Sequence, residues 1–277
     1  ETEPDSNTIW TTTTDPSVKK EPSFGQGAFV YNVIDVRQSY LQRVVVKGLN
    51  RLGFTEQANR STHFAYEMVA LSPSCCQELG IKLSDQDTNK PYIEVSGRKG
   101  LGVKADDLLN TLEEKAFHEV RTRNPGFSET EQTEIAHQIA VSALRYFLLR
   151  FTRTAVIAFD FDEALSFDGE TGPYIQYATV RANNIFRRME TDHPDFSLDQ
   201  LDQLLGSGKL AGFLNESDDL WELIYTASRL DEIAAQITSS MEPATLAKFA
   251  FTLAQKFNLF YHKYRVLAEQ DSDRRLF

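Results

Sequence analysis

Cysteine is almost absent from this 277-residue chain, and its two copies, Cys75 and Cys76, are neighbours. Adjacent cysteines pair poorly because the bridge geometry is strained. A disulfide framework is therefore excluded, and a reducing compartment, the cytoplasm, is the expected location. The pair reads as two small loop residues. Long apolar runs are missing too: none approaches the roughly 20 residues needed to span a bilayer, so no membrane partner is expected. The opening residues ETEPDSNT lack the basic start and apolar middle of a signal peptide, and a first residue other than Met fits a truncated or processed chain. Metal-ligand spacing is absent as well. His118, His137, His193 and His262 are scattered, and the acidic run Asp160, Asp162, Glu163, Asp168, Glu170 reads as a solvated loop. No Gly-x-Ser-x-Gly element occurs, so no nucleophilic mechanism follows. Positive charge is scarce: 29 Lys and Arg stand against 40 Asp and Glu, for a net charge of −11. That balance disfavours nonspecific nucleic-acid binding. It leaves room for a local basic face, expected around Arg145, Arg150 and Arg153 and again around Arg181, Arg187 and Arg188.

What is present is a chain whose character changes part-way. A hydrophobic content of 41% suffices for a core. Residues 1–28 are polar and broken by Pro16, Pro22, Gly25 and Gly27. Residues 28–36, AFVYNVIDV, predict a buried strand. Residues 38–53 predict a helix with Val44, Val45, Leu49 and Leu52 on its apolar side and Gly53 as its stop. Residues 63–71 predict a second strand. Strand, helix, strand implies one parallel α/β unit. Residues 72–91 read as a loop-rich insertion, and residues 92–95 as a short strand.

Beyond this, helices dominate. Residues 104–123 carry Leu108, Leu112 and Phe117 inward. Ser128 and Glu131 make a capping-box pattern, opening a helix with Ile135, Ile139, Ala143 and Phe147 at helical spacing. Residues 162–171 read as a loop. Pro173 opens a helix to about Met189, Ser197 and Gln200 suggest another cap, and further helices are predicted over 218–237 and 243–268. No internal repeat or sustained heptad is visible.

Three segments carry chemistry. Ser96-Gly97-Arg98-Lys99-Gly100 combines a hydroxyl, two glycines and two cations. Glycine lets backbone N–H groups approach an anion, and the cations neutralise it. On pattern alone the segment equally describes an exposed basic turn. Asp35-Val36-Arg37-Gln38 closes the first strand, where an open α/β sheet binds ligands; the residues alone favour a helix-start cluster with Asp35 near the cap. His63-Phe64-Ala65-Tyr66-Glu67-Met68-Val69 forms the second strand, in which a lone His is ordinarily a packed one.

IEVSGRKGLGVKADDLL (93–109), taken with FDEALSFDGETGPYIQYATVRANNIFRRM (161–189), resembles the arginyl-tRNA synthetases. The match continues through Gly102, Lys104, Asp106, Asp107 and Leu108, and Asp35–Gln38 resembles that family's VDVRQ motif. The resemblance covers nearly the whole chain. It implies an α/β region followed by an all-α region: a partial Rossmann-type class I synthetase catalytic domain (1–103), a connecting helical region (104–172) and an incomplete helical anticodon-binding bundle (173–277). The other class I signature, His-x-Gly-His, is absent.

By resemblance, Ser96, Arg98 and Lys99 are the catalytic residues. Ser96, Gly97, Arg98, Lys99 and Gly100 would hold ATP phosphates, and His63, Met68 and Val69 the adenosine. Gln38 and Asp15 would bind arginine, although Pro16 follows Asp15 where the family has a helix of small residues. Tyr174, Gln176, Tyr177 and Arg181 would face tRNA; turn-making and domain packing explain the tyrosines equally well. The implied substrates are ATP with Mg²⁺, arginine and tRNA-Arg, with no tightly bound cofactor, and the whole enzyme is expected to be a monomer. The implied reaction forms arginyl-adenylate and then transfers arginine to the terminal ribose of tRNA. This chain, lacking half of the ATP site, is expected to be inactive alone, and a non-catalytic tRNA-binding module is the alternative.

Overall fold

The computed structural model describes residues 17, 27–95, 103–193, 197, 199–215 and 217–276. The chain divides into two compact units, Glu1–Phe64 and Ala65–Phe277.

In the first unit, β1 (Val30–Asp35) runs through a 3-10 turn (Val36–Gln38) into α1 (Ser39–Arg51). Then come α2 (Thr55–Asn59) and β2 (Ser61–Tyr66), whose last residues cross the division. β1 pairs with β2. Val30 N donates to Arg60 O at 2.9 Å, and Ile34 O lies 2.8 Å from His63 Nε2, so both segments advance in the same sense, as in a parallel pair. Gly53 ends α1 as expected. Its φ of +87° lets its N–H reach Asn50 O (3.2 Å) and the Phe54 N–H reach Leu49 O (2.9 Å), closing the helix with a Schellman motif.

The expected burial is corrected. Val30, Tyr31 and Val33 on β1 and Val44, Val45 and Leu52 on or beside α1 are all exposed. Two strands and one long helix have too few layers to cover both faces of a sheet.

In the second unit, the strand predicted over 63–71 is broken at Glu67 and Met68. The Glu67 N–H turns to Arg153 O at 2.7 Å, and a separate strand, β3 (Val69–Leu71), follows. β3 pairs in parallel with β4 (Ile157–Phe159), in the register Val69–Ile157, Ala70–Ala158, Leu71–Phe159. On the other side, Ile93 bridges Leu71 through two backbone bonds of 3.0 and 2.7 Å. The presumed insertion contains α3 (Pro73–Glu78). Ser72 caps it by accepting from Cys75 N at 3.0 Å. Both cysteines are fully buried there, which corrects their assignment to a loop. Burial pushes the Cys75 thiol up to about 12.

α4 (Ala105–Arg123) and α5 (Glu129–Leu149) form a helical hairpin. Leu112 is buried, and Leu108 and Phe117 lie against the core. The capping box is present: Ser128 N donates to Glu131 Oε2 at 2.9 Å, and Ser128 Oγ accepts from Glu131 N at 3.3 Å. Phe147, Phe159 and Phe161 stack edge-to-face at 5.0 and 5.4 Å, tying α5 to the small sheet.

The loop expected over 162–171 begins instead inside α6 (Phe161–Leu165), which is capped by Asp160. α7 (Gly172–Asp192) begins with Thr171 as cap and Pro173 in its first turn. Next come α8 (Asp199–Gly206), α9 (Lys209–Leu214), α10 (Asp218–Ser228) and α11 (Leu230–Ser240). The single helix predicted over 218–237 is thus two, parted at Arg229, and Met241 closes the second with φ +53°. α12 (Ala244–Lys263) stops short of the predicted 268, a 3-10 turn (Val266–Ala268) follows, and α13 (Ser272–Leu276) is the last described helix. No described helix is long and apolar enough to cross a membrane.

Candidate functional site

α7 and α12 lie side by side, and a cluster of rings and cations joins them. The Arg181 guanidinium sits 4.0 Å from the centroid of Tyr177, one turn earlier on α7, and 5.0 Å from that of Tyr261 on α12. Its Nη2 donates to the Tyr177 hydroxyl at 2.9 Å and its Nη1 to Asn258 Oδ1 at 2.8 Å. These bonds hold a delocalised cation against two aromatic rings. Tyr177 remains 49% exposed and Tyr261 39%, so both present ring surface to solvent. Arg187 and Arg188, further along α7, are exposed.

The other two residues of the sequence-derived set point elsewhere. Tyr174 packs its ring on Phe251 of α12 at 5.3 Å. Gln176 turns toward α5, its Nε2 donating to Gln138 O at 3.2 Å. Asn258 and Tyr261 were missed from sequence. Their three-residue spacing puts them on one helix face, but nothing in the sequence says that this face meets Arg181.

Of the basic face expected around Arg145, Arg150 and Arg153, Arg145 is exposed, but the other two are held in the fold. Arg150 pairs with Glu163, donates to Glu170 O at 2.8 Å and lies over Phe147 and Phe151 at 4.3 and 4.8 Å. Arg153 pairs with Glu242 at 3.8 Å and donates to Ala65 O at 3.2 Å. Both guanidiniums are therefore engaged in packing.

The acidic run is solvated only in part: Asp162, Glu163 and Asp168 are exposed, whereas Asp160 is drawn into the structure and Asp162 and Glu163 belong to α6. Asp160 accepts from Ser72 Oγ at 2.7 Å, Ser74 Oγ at 2.5 Å and Glu163 N at 3.0 Å. Burial raises its carboxyl, but these hydrogen bonds and one from the Asp162 N–H prevail and hold it below its ordinary value. Asp162 shares Lys115 with Glu78, both at 2.7 Å. Among the described residues no group of three or more His, Cys, Asp or Glu is arranged to hold a metal ion.

Of the residues assigned to small-molecule binding, Ser96, Gly97, Arg98, Lys99, Gly100 and Asp15 lie outside the described residues. Val95 and Val103, which flank the glycine-rich segment, both pack against the core that contains Phe147 and Phe159. Gln38 is exposed at the start of α1. Asp35 caps the 3-10 turn, binding Arg37 through its backbone N–H and its guanidinium at 2.8 to 2.9 Å. His63, in the first unit, is held by Ile34 O. Met68 and Val69 are in the second unit. The Met68 N–H donates to the Glu67 carboxylate at 3.1 Å, and its carbonyl accepts from Ile157 N at 3.2 Å. Val69 is 46% exposed.

Comparison with known proteins gives this bundle a class. Residues 175–277, from the first turn of α7 onward, match the DALR anticodon binding domain. Outside that module the likeness continues. The chain is 33% identical over 261 residues to the arginine–tRNA ligase of Deinococcus radiodurans, covering 94% of this chain and 38% of the relative. It is 32% identical over 267 residues to that of Pyrococcus furiosus, covering 95% and 38%. The solved Thermus thermophilus arginyl-tRNA synthetase superposes with a TM-score of 0.69 at 25% identity, over 90% of this chain and 37% of that one. The Plasmodium falciparum arginyl-tRNA synthetase shares the fold, with a TM-score of 0.64 at 19% identity. The chain belongs to the arginyl-tRNA synthetase family. It spans about 38% of the length of the curated relatives it matches.

Proposed function

We propose that this chain is the tRNA-receiving part of an arginine–tRNA ligase, and that Tyr177, Arg181 and Tyr261 form the centre of its RNA-contacting surface. The observation that carries this is the exposed stack of two rings about one guanidinium on a match to an anticodon-binding domain. Aromatic faces stack on unpaired bases, and a guanidinium between them meets phosphate or the edge of a base. The net charge of −11 supports selective rather than general RNA binding, because the whole chain repels phosphates.

For the small-molecule half of the reaction the proposal follows the family resemblance. Ser96, Arg98 and Lys99, with Gly97 and Gly100, grip the phosphates of ATP, and Mg²⁺ accompanies the nucleotide as part of the substrate. Met68 and Val69 hold the adenine, and the same resemblance assigns His63 to the adenosine. For the Met68 N–H to reach adenine, the Glu67 carboxylate has to release it. Gln38 and Asp15 face the arginine. Catalysis consists of positioning and charge stabilisation, with no covalent enzyme intermediate. By itself the 277-residue chain is inactive, because it lacks the His-x-Gly-His half of the ATP site. The test is a charging assay with ATP, arginine and tRNA-Arg. No arginyl-tRNA is expected from this chain alone, and robust turnover would overturn the assignment of the missing half.

A further inference from the structure

α5 and α7 approach each other closely at Gly172, where an added Cβ would lie 2.6 Å from Ser142 O. Beside that contact a groove of about 880 Å³ opens between the two helices and the end of α4. Its apolar lining includes Ile135, Ile139 and Ile175, and Tyr177 stands at its edge. No residue assigned so far uses this space, apart from that shared tyrosine and Gln176.

Two features narrow the occupant. The first is Gln176. Its Nε2 is satisfied by Gln138 O at 3.2 Å, but its Oε1 is buried and has no hydrogen-bond partner among the described residues. A buried acceptor left without a donor is unusual in a folded protein, and here it lines a groove wide enough for a ring. An occupant that completes the site brings a hydrogen-bond donor, and the apolar lining favours flat apolar faces. The second is charge. Glu119 and Asp168 line the groove, and the cation among its lining, Arg123, is tied to Glu119 at 3.1 Å and lies over the Phe167 ring at 4.6 Å. Acidic lips repel phosphate and attract amino groups. A nucleobase satisfies both features; in the RNA backbone the ribose 2′-OH could donate, but it brings no flat face and comes with phosphates that the acidic lips repel.

Tyr177 supplies continuity, since it belongs both to this groove and to the Arg181 stack. We propose that the groove between α5 and α7 receives one unpaired base of the RNA strand that crosses Tyr177 and Arg181. Gln176 Oε1 accepts from an amino or imino N–H of that base. This rests on the RNA-contacting role proposed above. It adds a second pocket, on the α5 side of α7, that extracts a base while the Tyr177–Arg181 stack holds its neighbours. One acceptor on an apolar floor reads the presence of an N–H and leaves the identity of the base weakly specified.

The test uses the 277-residue chain, labelled tRNA-Arg and base-specific chemical probing of the bound RNA. Ile139→Trp fills the groove without touching Gln176. Gln176→Met removes the acceptor with little change of volume. The expectation is that wild-type chain protects a base that both variants leave reactive, with affinity at least tenfold weaker for Ile139→Trp. Unfolding midpoints are measured alongside, and the comparison uses whichever variant stays within a few degrees of wild type. If wild type binds tRNA-Arg but a folded variant gives the same protection and affinity, the groove holds water only and this inference is overturned. If wild type does not bind, the RNA-contacting role itself falls, and the groove proposal falls with it.

Discussion

Arg181 donates one arm of its guanidinium to the hydroxyl of Tyr177 while lying 4.0 Å from the centre of the same ring. One residue thus serves the other both as hydrogen-bond donor and as stacked cation, and Asn258 fixes the second arm from α12. The surface is preorganised, so under the proposed role an RNA strand would meet it without ordering new side chains. Arg181→Ala is expected to weaken tRNA-Arg binding by about 1–2 kcal/mol, roughly 5- to 30-fold. Arg181→Lys keeps the charge but loses the planar fork, and should recover little of the loss. Equilibrium binding of each variant, with circular dichroism to verify folding, checks both statements; full recovery by Lys would reduce the stack to a simple charge.

Gly172 tests how closely α5 and α7 must approach. Replacing glycine by alanine inside a helix ordinarily stabilises it, by about 1 kcal/mol at most. Here the new Cβ would meet backbone atoms of Ser142 at 2.6 and 2.9 Å, which cannot turn aside as a side chain can. Gly172→Ala is therefore expected to destabilise the second unit by about 1–3 kcal/mol, as overpacking does. Urea denaturation gives the sign directly, and a gain in stability would show that the helices part freely.

Asp160 links the start of α3 to the start of α6 through Ser72, Ser74 and Glu163 N. Its folded-state pKa lies below the unfolded value, so its contribution is fully present above about pH 4 and is lost as pH falls through the folded pKa. Asp160→Asn should cost about 1–3 kcal/mol at pH 7, where the carboxylate form is fully populated. The gap between wild type and variant should narrow below about pH 4. Denaturation curves at several pH values measure this; a gap that does not change with pH would assign the effect to packing rather than to the carboxylate.

Much of the helical architecture was legible from local chemistry. The capping box at Ser128 and Glu131, the Gly53 stop and Pro173 in a first helical turn all depend on residues within one turn of each other. What was not legible depends on distant partners. The strand over 63–71 breaks because Glu67 N bonds to Arg153 O, far along the chain. The cysteines became core residues because they join a cluster with Leu112, Phe147 and Phe159 from distant parts of the chain, and no local pattern announces that. The expected basic face shrank to the exposed Arg145 for the same reason: Arg150 and Arg153 find Glu163, Glu170 and Glu242 only after folding. Half of the stack on α7 and α12, Tyr177 and Arg181, was visible as an i, i+4 pair, while Asn258 and Tyr261 needed the packing of α12.

The first unit leaves large apolar side chains uncovered on its strand and its helix, Tyr40, Leu41, Val45 and Leu52 among them, each more than half exposed. Surfaces of this kind bind hydrophobic dyes and associate with one another. The folded chain should bind anilinonaphthalene sulfonate at neutral pH, and Leu41→Lys with Val45→Glu should reduce that signal with little effect on the unfolding of the second unit. Fluorescence titration decides this. An unchanged signal would place the dye elsewhere.

The central claim is that α7 and α12 present a surface for a particular RNA. The most direct measurement is the affinity of the 277-residue chain for labelled tRNA-Arg and for an unrelated tRNA across a salt series. The account predicts tighter binding of tRNA-Arg at every salt concentration, with affinity falling as salt rises because phosphate contacts release counterions. Equal affinity for both RNAs, or none for either with folding verified, would contradict it.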